Sequence, residues 1–232
     1  MKEELKETSA TIEKDISRRR FLSFAGLAGA GLVIASCNKN DDDDDPKPTT
    51  PDGSVDLGTE DFGLLNYMYA LKQLSAAFYT RVTTSFYTDA PTAETEIIPE
   101  IRAHEIAHRE LLRNMLGDKR IQDFEFFLDD KVDFTSRWAV LTTAAELEEK
   151  MLSAFLGIAG RFASADYLMQ VSKMASVDGR HDAYVRDLAV YNSFATNVNA
   201  SHADTGMTPE DVLGALSKYY PTFISAKRLP KF

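Results

Sequence analysis

The sequence predicts an all-α protein: a bundle of four long helices with a long connection between the second and third, plus a short C-terminal helix. Three observations carry this reading. From Thr59 onward, apolar residues recur at helical spacing in four long segments. Alternating Val, Ile and Thr runs bounded by tight turns, the mark of strands, are missing. One break between the helical segments is long and irregular, the stretch "DKRIQDFEFFLDDKVDFTS" at 118–136.

The first helix is expected from about Asp61 to Thr84, with Leu64, Met68, Leu71, Phe78 and Val82 on or near one apolar stripe. The second runs from about Glu94 to Leu116; Pro99 is tolerable only near its start, and Gly117 is a stop signal. The third is expected from about Ser136 to Ala159, and the fourth from about Ser164 to Tyr191 or slightly earlier. In "GMTPEDVLGALSKYY", Thr208 is placed to cap a short final helix, with Pro209 in its first turn and Asp211 three residues after the cap. Trp138 and the aromatics of "FEFF" are read as packing groups that pin the crossover to the bundle.

The first fifty residues read differently. "SRRRFLSFAGLAGAGLVIASC" has paired arginines, Arg18 and Arg19, then Phe21 and Leu22, then a run of small and apolar residues reaching Cys37. The run is short and rich in Ala and Gly for a membrane span and has the layout of an export signal. "SRRRFL" resembles the twin-arginine export motif, and "IASC" resembles a lipobox, in which the cysteine becomes the lipid-bearing first residue of the mature chain. The acidic, Pro- and Thr-rich run after Cys37 lacks periodic apolar residues and is expected to be a disordered tether. The resulting organisation is a signal peptide over 1–36, a tether over 37–58, a helical bundle over 59–192 and a C-terminal extension over 193–232. The implied location is a bacterial membrane, reached through lipid on Cys37, with the domain facing the periplasm or the cell surface.

Several function classes fall away. The formal net charge is −10 and no basic stripe is present, so a nucleic-acid partner is not expected. Cys37 is the only cysteine, which excludes an internal disulfide, a thiol enzyme and a zinc–cysteine site. No Gly-rich phosphate loop or nucleophile elbow appears. A homo-oligomer is left open.

Chemistry concentrates on two helices. In "RAHEIAHREL", Glu105 stands three residues before His108, a spacing that puts both on one helix face where they can close on one ion. "SVDGRHDAYVRDL" repeats the spacing with Asp178 and His181, and the third helix offers Glu148 inside an otherwise apolar stretch. A dimetal four-helix bundle takes a Glu from each of two helices and a Glu-x-x-His from each of the other two. Glu105, His108, Glu148, Asp178 and His181 fill five of these six positions in the right helix order. His104 and His202 have no acid three residues before them and are assigned to a surface or a cap.

The blocks "LLNYMYALKQLSAAFY", "HEIAHRELLRNML", "LEEKMLSAFLGIAG" and "GRHDAYVRDL" together resemble the ferritin-like domain family of secreted bacterial and plant desiccation-related proteins, over most of residues 59–190. The resemblance implies a ferritin-like bundle and a carboxylate- and histidine-ligated iron or manganese site. In that family the first block carries metal-binding glutamates where this chain has Lys72 and Ser75. The site is therefore expected to be degenerate: one iron or manganese ion, or none. Two readings of Lys72 stay open: it holds Glu105 in the space of the missing ion, or it points to solvent at the edge of the helix-one stripe beside Leu71. The alternative for the five polar residues is an inherited hydrogen-bonded network without metal. The functional expectation is a lipid-anchored binding, structural or stress-related module; the alternative is an iron- or manganese-dependent oxidoreductase or iron-handling protein, and the sequence leaves open whether the chain is an enzyme.

Overall fold

The computed structural model describes residues 50, 52–196, 198 and 203–231. The expected signal peptide, Cys37, most of the expected tether and His202 lie outside the described residues. Among the described residues there are five α-helices: α1 (Glu60–Thr84), α2 (Thr92–Leu116), α3 (Arg137–Ile158), α4 (Ala165–Ala189) and α5 (Pro209–Leu216). The all-α class and the long second-to-third connection are as expected. Among the described residues no helix is long and apolar enough to cross a membrane.

The helix starts follow local capping chemistry. The side chains of Ser136, Ser164 and Thr208 accept hydrogen bonds from the backbone N–H groups of Ala139, Tyr167 and Asp211, satisfying first-turn donors of α3, α4 and α5. At its own start, α2 begins two residues earlier than expected, so Pro99 is its eighth residue and lies beyond the first turn. There proline removes one backbone hydrogen bond, which the helix absorbs within its 25 residues.

Directions are set by contacts between helix ends. Asp61, at the start of α1, accepts from the backbone N–H groups of Ala163 and Ser164 at 2.7 and 2.8 Å, just before α4. Asn66 of α1 donates to the Lys119 carbonyl, just past α2. At the other end, Arg137 of α3 pairs with Glu94 of α2 and donates to the Leu188 carbonyl of α4. Hence α1 and α4 run one way and α2 and α3 the other. Two consecutive parallel helices require a crossover along the bundle, and residues 120–136 supply it.

The crossover changes the environment of α1. A single apolar stripe was expected, but every residue from Gly63 to Ala76 is buried. The bundle covers one side; the crossover and the C-terminal stretch cover the other. Tyr69 donates to Asp123 at 2.6 Å, Gln73 exchanges hydrogen bonds with the backbone of Gln122 and Phe124, and the Tyr220 hydroxyl donates to the Ala70 carbonyl at 2.9 Å. Phe124 and Phe126 set their edges against Tyr220, so these two aromatics do pin the crossover. The assignment of Trp138 to packing is corrected: its side chain is 61% exposed. It follows Arg137 at the α3 start, where its face meets water rather than the crossover.

Residues 54–57, placed by composition in the tether, are buried. Val55–Asp56 forms β1, which pairs in parallel with β2 (Ile224–Ser225). Two residues per strand are too few for alternation to register, and a pairing partner 169 residues away leaves no local signal. The extension also crosses α3 at a point only glycine permits: a Cβ on Gly157 would lie 1.9 Å from the Met207 carbonyl oxygen. The crossing is fixed by the Met207 N–H donating to the Ser153 carbonyl at 2.9 Å.

Candidate metal centre

Midway along the bundle, charged side chains from all four long helices meet without access to water. Lys72 of α1, Glu105 of α2, Glu148 of α3 and Asp178 of α4 are each 0% exposed, and His181 of α4 is 6% exposed. Helical spacing puts them there. Lys72, Ser75 and Tyr79 follow one another at three- and four-residue intervals on α1, while Glu105 with His108 and Asp178 with His181 each project one turn apart.

The Lys72 ammonium is the hub. It donates to Glu105 Oε1 and Oε2 at 3.1 and 2.8 Å and to Asp178 Oδ1 at 2.7 Å. An ammonium has three protons, so its donor capacity is used up. Burial by itself would lower the Lys72 pKa; the charges of Asp178, Glu105 and Glu148 outweigh that effect and hold it above its ordinary value. Glu105 answers in kind, because the Lys72 charge overcomes the penalty of burial and keeps its carboxyl well below the usual range. Ser75, the second position expected to replace a glutamate, is fully buried with its hydroxyl unpartnered.

The two histidines approach the same carboxylates. His108 Nδ1 lies 3.3 Å from Asp178 Oδ1 and 3.7 Å from Glu105 Oε1; His181 Nδ1 lies 3.3 Å from Glu105 Oε1 and 3.7 Å from Glu148 Oε2. None of these is a well-aligned hydrogen bond, and both Nδ1 atoms are unpartnered in that sense. The negative neighbours still prevail: burial opposes charging of His181, but contact with Glu105 and Glu148 raises its pKa to about 9. His108 is raised against burial by Asp178 and Glu105. Glu148 goes the other way, pushed up by burial and then by the Glu105 charge.

Two contributors carry no sequence signal of their own. Tyr79, two turns after Lys72, donates from its hydroxyl to Glu148 Oε1 at 2.7 Å and leaves Oε2 without a partner. Only its seven-residue spacing from Lys72 hinted at a shared face. His104 was assigned to a surface or cap, and it is exposed, but its Nδ1 lies 3.0 Å from His181 Nε2 with the two rings 8° from parallel. That contact joins α2 to α4 and leaves no trace in the spacing along α2. Burial, followed by the neighbouring His181 and His108, lowers the His104 pKa, so His104 is suited to accept the hydrogen bond from His181.

A model of the ferritin-like domain matches residues 60–190 of this sequence. The chain belongs to the ferritin-like domain family. A comparison with curated proteins finds no match.

A ferritin-like bundle of the dimetal kind needs carboxylates from all four helices around two ions. Here α1 brings an ammonium into that space, and two of the carboxylates already accept from it, so the residues present do not fit a pair of ions. They are compatible with one: ligand atoms of Glu105, Glu148, Asp178 and His181 all lie within 4.8 Å of one another. Glu148 Oε2, Asp178 Oδ2 and His181 Nδ1 are buried without hydrogen-bond partners among the protein's own groups. Carboxylate oxygens with one imidazole nitrogen form a donor set suited to iron or manganese.

Proposed function

We propose that this is an exported, lipid-anchored ferritin-like protein with a degenerate site, acting as a binding, structural or stress-related module rather than through a dimetal centre. One observation carries the reading of the site: the buried Lys72 ammonium bonded to Glu105 and Asp178. Oxygen or peroxide chemistry at paired ions requires both metal positions, and a fixed positive charge among the ligands opposes the second ion by Coulomb repulsion. The anchor is supported by sequence alone, through the twin-arginine-like "SRRRFL" and the lipobox-like "IASC" ending at Cys37.

Elemental analysis of the full chain, purified from cells supplied with iron and manganese, tests the site. Fewer than two ions per chain are expected, and two would overturn the reading. Labelling with a fatty acid tests the anchor; label retained in Cys37→Ser would remove it. A second reading is favoured by the unpartnered Glu148 Oε2 and His181 Nδ1: an oxidoreductase or iron-handling protein using one iron or manganese ion held by Glu105, Glu148, Asp178 and His181, with His108 beside it. One tightly held ion per chain, together with oxidation of added iron(II) by oxygen, both lost in Glu148→Ala, would establish it over the first.

A further inference from the structure

We propose that Lys72 and Asp178 act as a matched pair in which the chain's own ammonium has replaced a metal ion, so that the position reverts to ion binding only when both residues are changed. The inference rests on the reading of the site as degenerate and says how the degeneracy works.

Asp178 stands at the carboxylate position of the α4 carboxylate-x-x-His motif, where the dimetal pattern calls for Glu. Aspartate is one methylene shorter, so its carboxylate stops nearer the α4 backbone and leaves space toward α1. The Lys72 Nζ occupies that space, 2.7 Å from Asp178 Oδ1. Its remaining protons go to the two oxygens of Glu105, at 2.8 and 3.1 Å. A glutamate at 178 would push its carboxylate one bond further into a spot already held by Nζ, and the interior around it is close-packed. A lysine facing a full-length glutamate would be crowded; a glutamate at 72 facing the short aspartate would hold ligands too far apart. Each substitution suits only the other's background.

The position also keeps the requirement for a cation. Glu105 and Asp178 are both 0% exposed, and a buried carboxylate without a compensating charge is strongly unfavourable. The protein meets this need covalently. A divalent ion would meet it reversibly.

The test uses the full chain and four variants: Lys72→Met, Lys72→Glu, Asp178→Glu, and the double variant Lys72→Glu/Asp178→Glu. Manganese(II) alone is the probe, with metal content after gel filtration and Tm as readouts. Lys72→Met keeps the bulk of the side chain and removes the charge, and a fall of about 10 °C in Tm is expected. Asp178→Glu alone should lower Tm, whereas the same change in the Lys72→Glu background should raise it when manganese is present. The double variant should hold one manganese ion per chain more than the wild type, and Lys72→Glu alone should bind it at least tenfold more weakly than the double variant. Wild-type Tm in Lys72→Met overturns the proposal. So does a double variant that gains no manganese, or that stays insoluble even with manganese supplied. Two ions in the wild-type chain would instead overturn the proposed function, so the two failures are separable.

Discussion

Glu94 and Glu105 stand three turns apart on α2, both buried and both held by a cation, yet they sit in different kinds of network. Glu94 lies near the helix start. Arg137 donates to it from Nε and from a terminal nitrogen, the latter at 2.5 Å, and Tyr87 donates its hydroxyl. Arg137 also reaches the Leu188 carbonyl, so the ends of α2, α3 and α4 are tied together by groups that need nothing further. Around Glu105, by contrast, one ammonium serves two carboxylates while His108 Nδ1, His181 Nδ1, Glu148 Oε2 and Asp178 Oδ2 go unpartnered. Buried polar groups are normally satisfied, so an excess of donors and acceptors marks a place shaped for a ligand the side chains only partly replace. The first network is a structural tie; the second is a buried Glu/Asp/His cluster compatible with a metal site, with a lysine built into it.

The strongest way to break this contrast is to remove Glu105. In Glu105→Leu the Lys72 ammonium keeps a single carboxylate partner in a site closed to water. Leaving a buried charge poorly compensated costs about 3–5 kcal/mol. Chemical denaturation should show that loss. A change below about 1 kcal/mol would mean that the ammonium moves to water, and the cluster is not the closed site described.

The next effect is a dependence on pH. Because the folded-state pKa of His181 is raised from 6.5 to about 9, folding favours its protonated form. That contribution is fully present below pH 6.5 and is lost as pH rises through 9, a loss of roughly 2–3 kcal/mol. The depressed Glu105 works in the opposite window: its contribution is present above its ordinary value of 4.5 and fades as pH falls below it. Urea midpoints of the full chain with chelator present should therefore decline from pH 6.5 to pH 9. The decline should be much smaller in His181→Gln, the remainder belonging to His108, whose pKa is raised as well, and a flat wild-type profile would show that the His181 imidazole is neutral throughout.

The two networks were unequally visible in the sequence, and the reason is range. Glu105 with His108 and Asp178 with His181 repeat a three-residue spacing, so one helix face announces each pair, and Lys72 stands out against the family pattern of the first block. Glu94, Arg137 and Tyr87 share no spacing. Their meeting depends on where three helix ends arrive. The same divide runs through the fold. Ser136, Ser164 and Thr208 are local caps and fixed the helix starts to within a residue. The burial of α1 on every side from Gly63 to Ala76 comes from a crossover and a C-terminal stretch that fold over it from far along the chain, and the β1–β2 pair and the His104–His181 contact are equally long-range.

A smaller effect separates the networks from the side of the structural tie. Glu94→Gln keeps the shape and one oxygen acceptor but removes the charge that Arg137 answers. The Arg137 side chain is 42% exposed and can turn its guanidinium to water, an escape Lys72 does not have. The expected cost is therefore about 1–2 kcal/mol, well below that of Glu105→Leu. A cost equal to that of Glu105→Leu would erase the distinction between the two sites.

The smallest predicted effect belongs to the residue beside Arg137. Trp138 is the single tryptophan and a natural suspect for an anchor, yet neighbouring positions on a helix point about 100° apart, so Arg137 can turn inward to Glu94 while Trp138 faces out. With 61% of its surface in water, the indole buries too little apolar area for truncation to open a cavity. Trp138→Ser should change unfolding free energy by no more than about 0.5 kcal/mol and leave the urea slope unchanged. The emission spectrum of the wild-type chain gives an independent check, since a solvent-facing indole should be quenched readily by iodide. A loss of 2 kcal/mol or more would place Trp138 in the packing of the α3 start, and the tie around Glu94 would then owe its strength partly to apolar burial rather than to its hydrogen bonds.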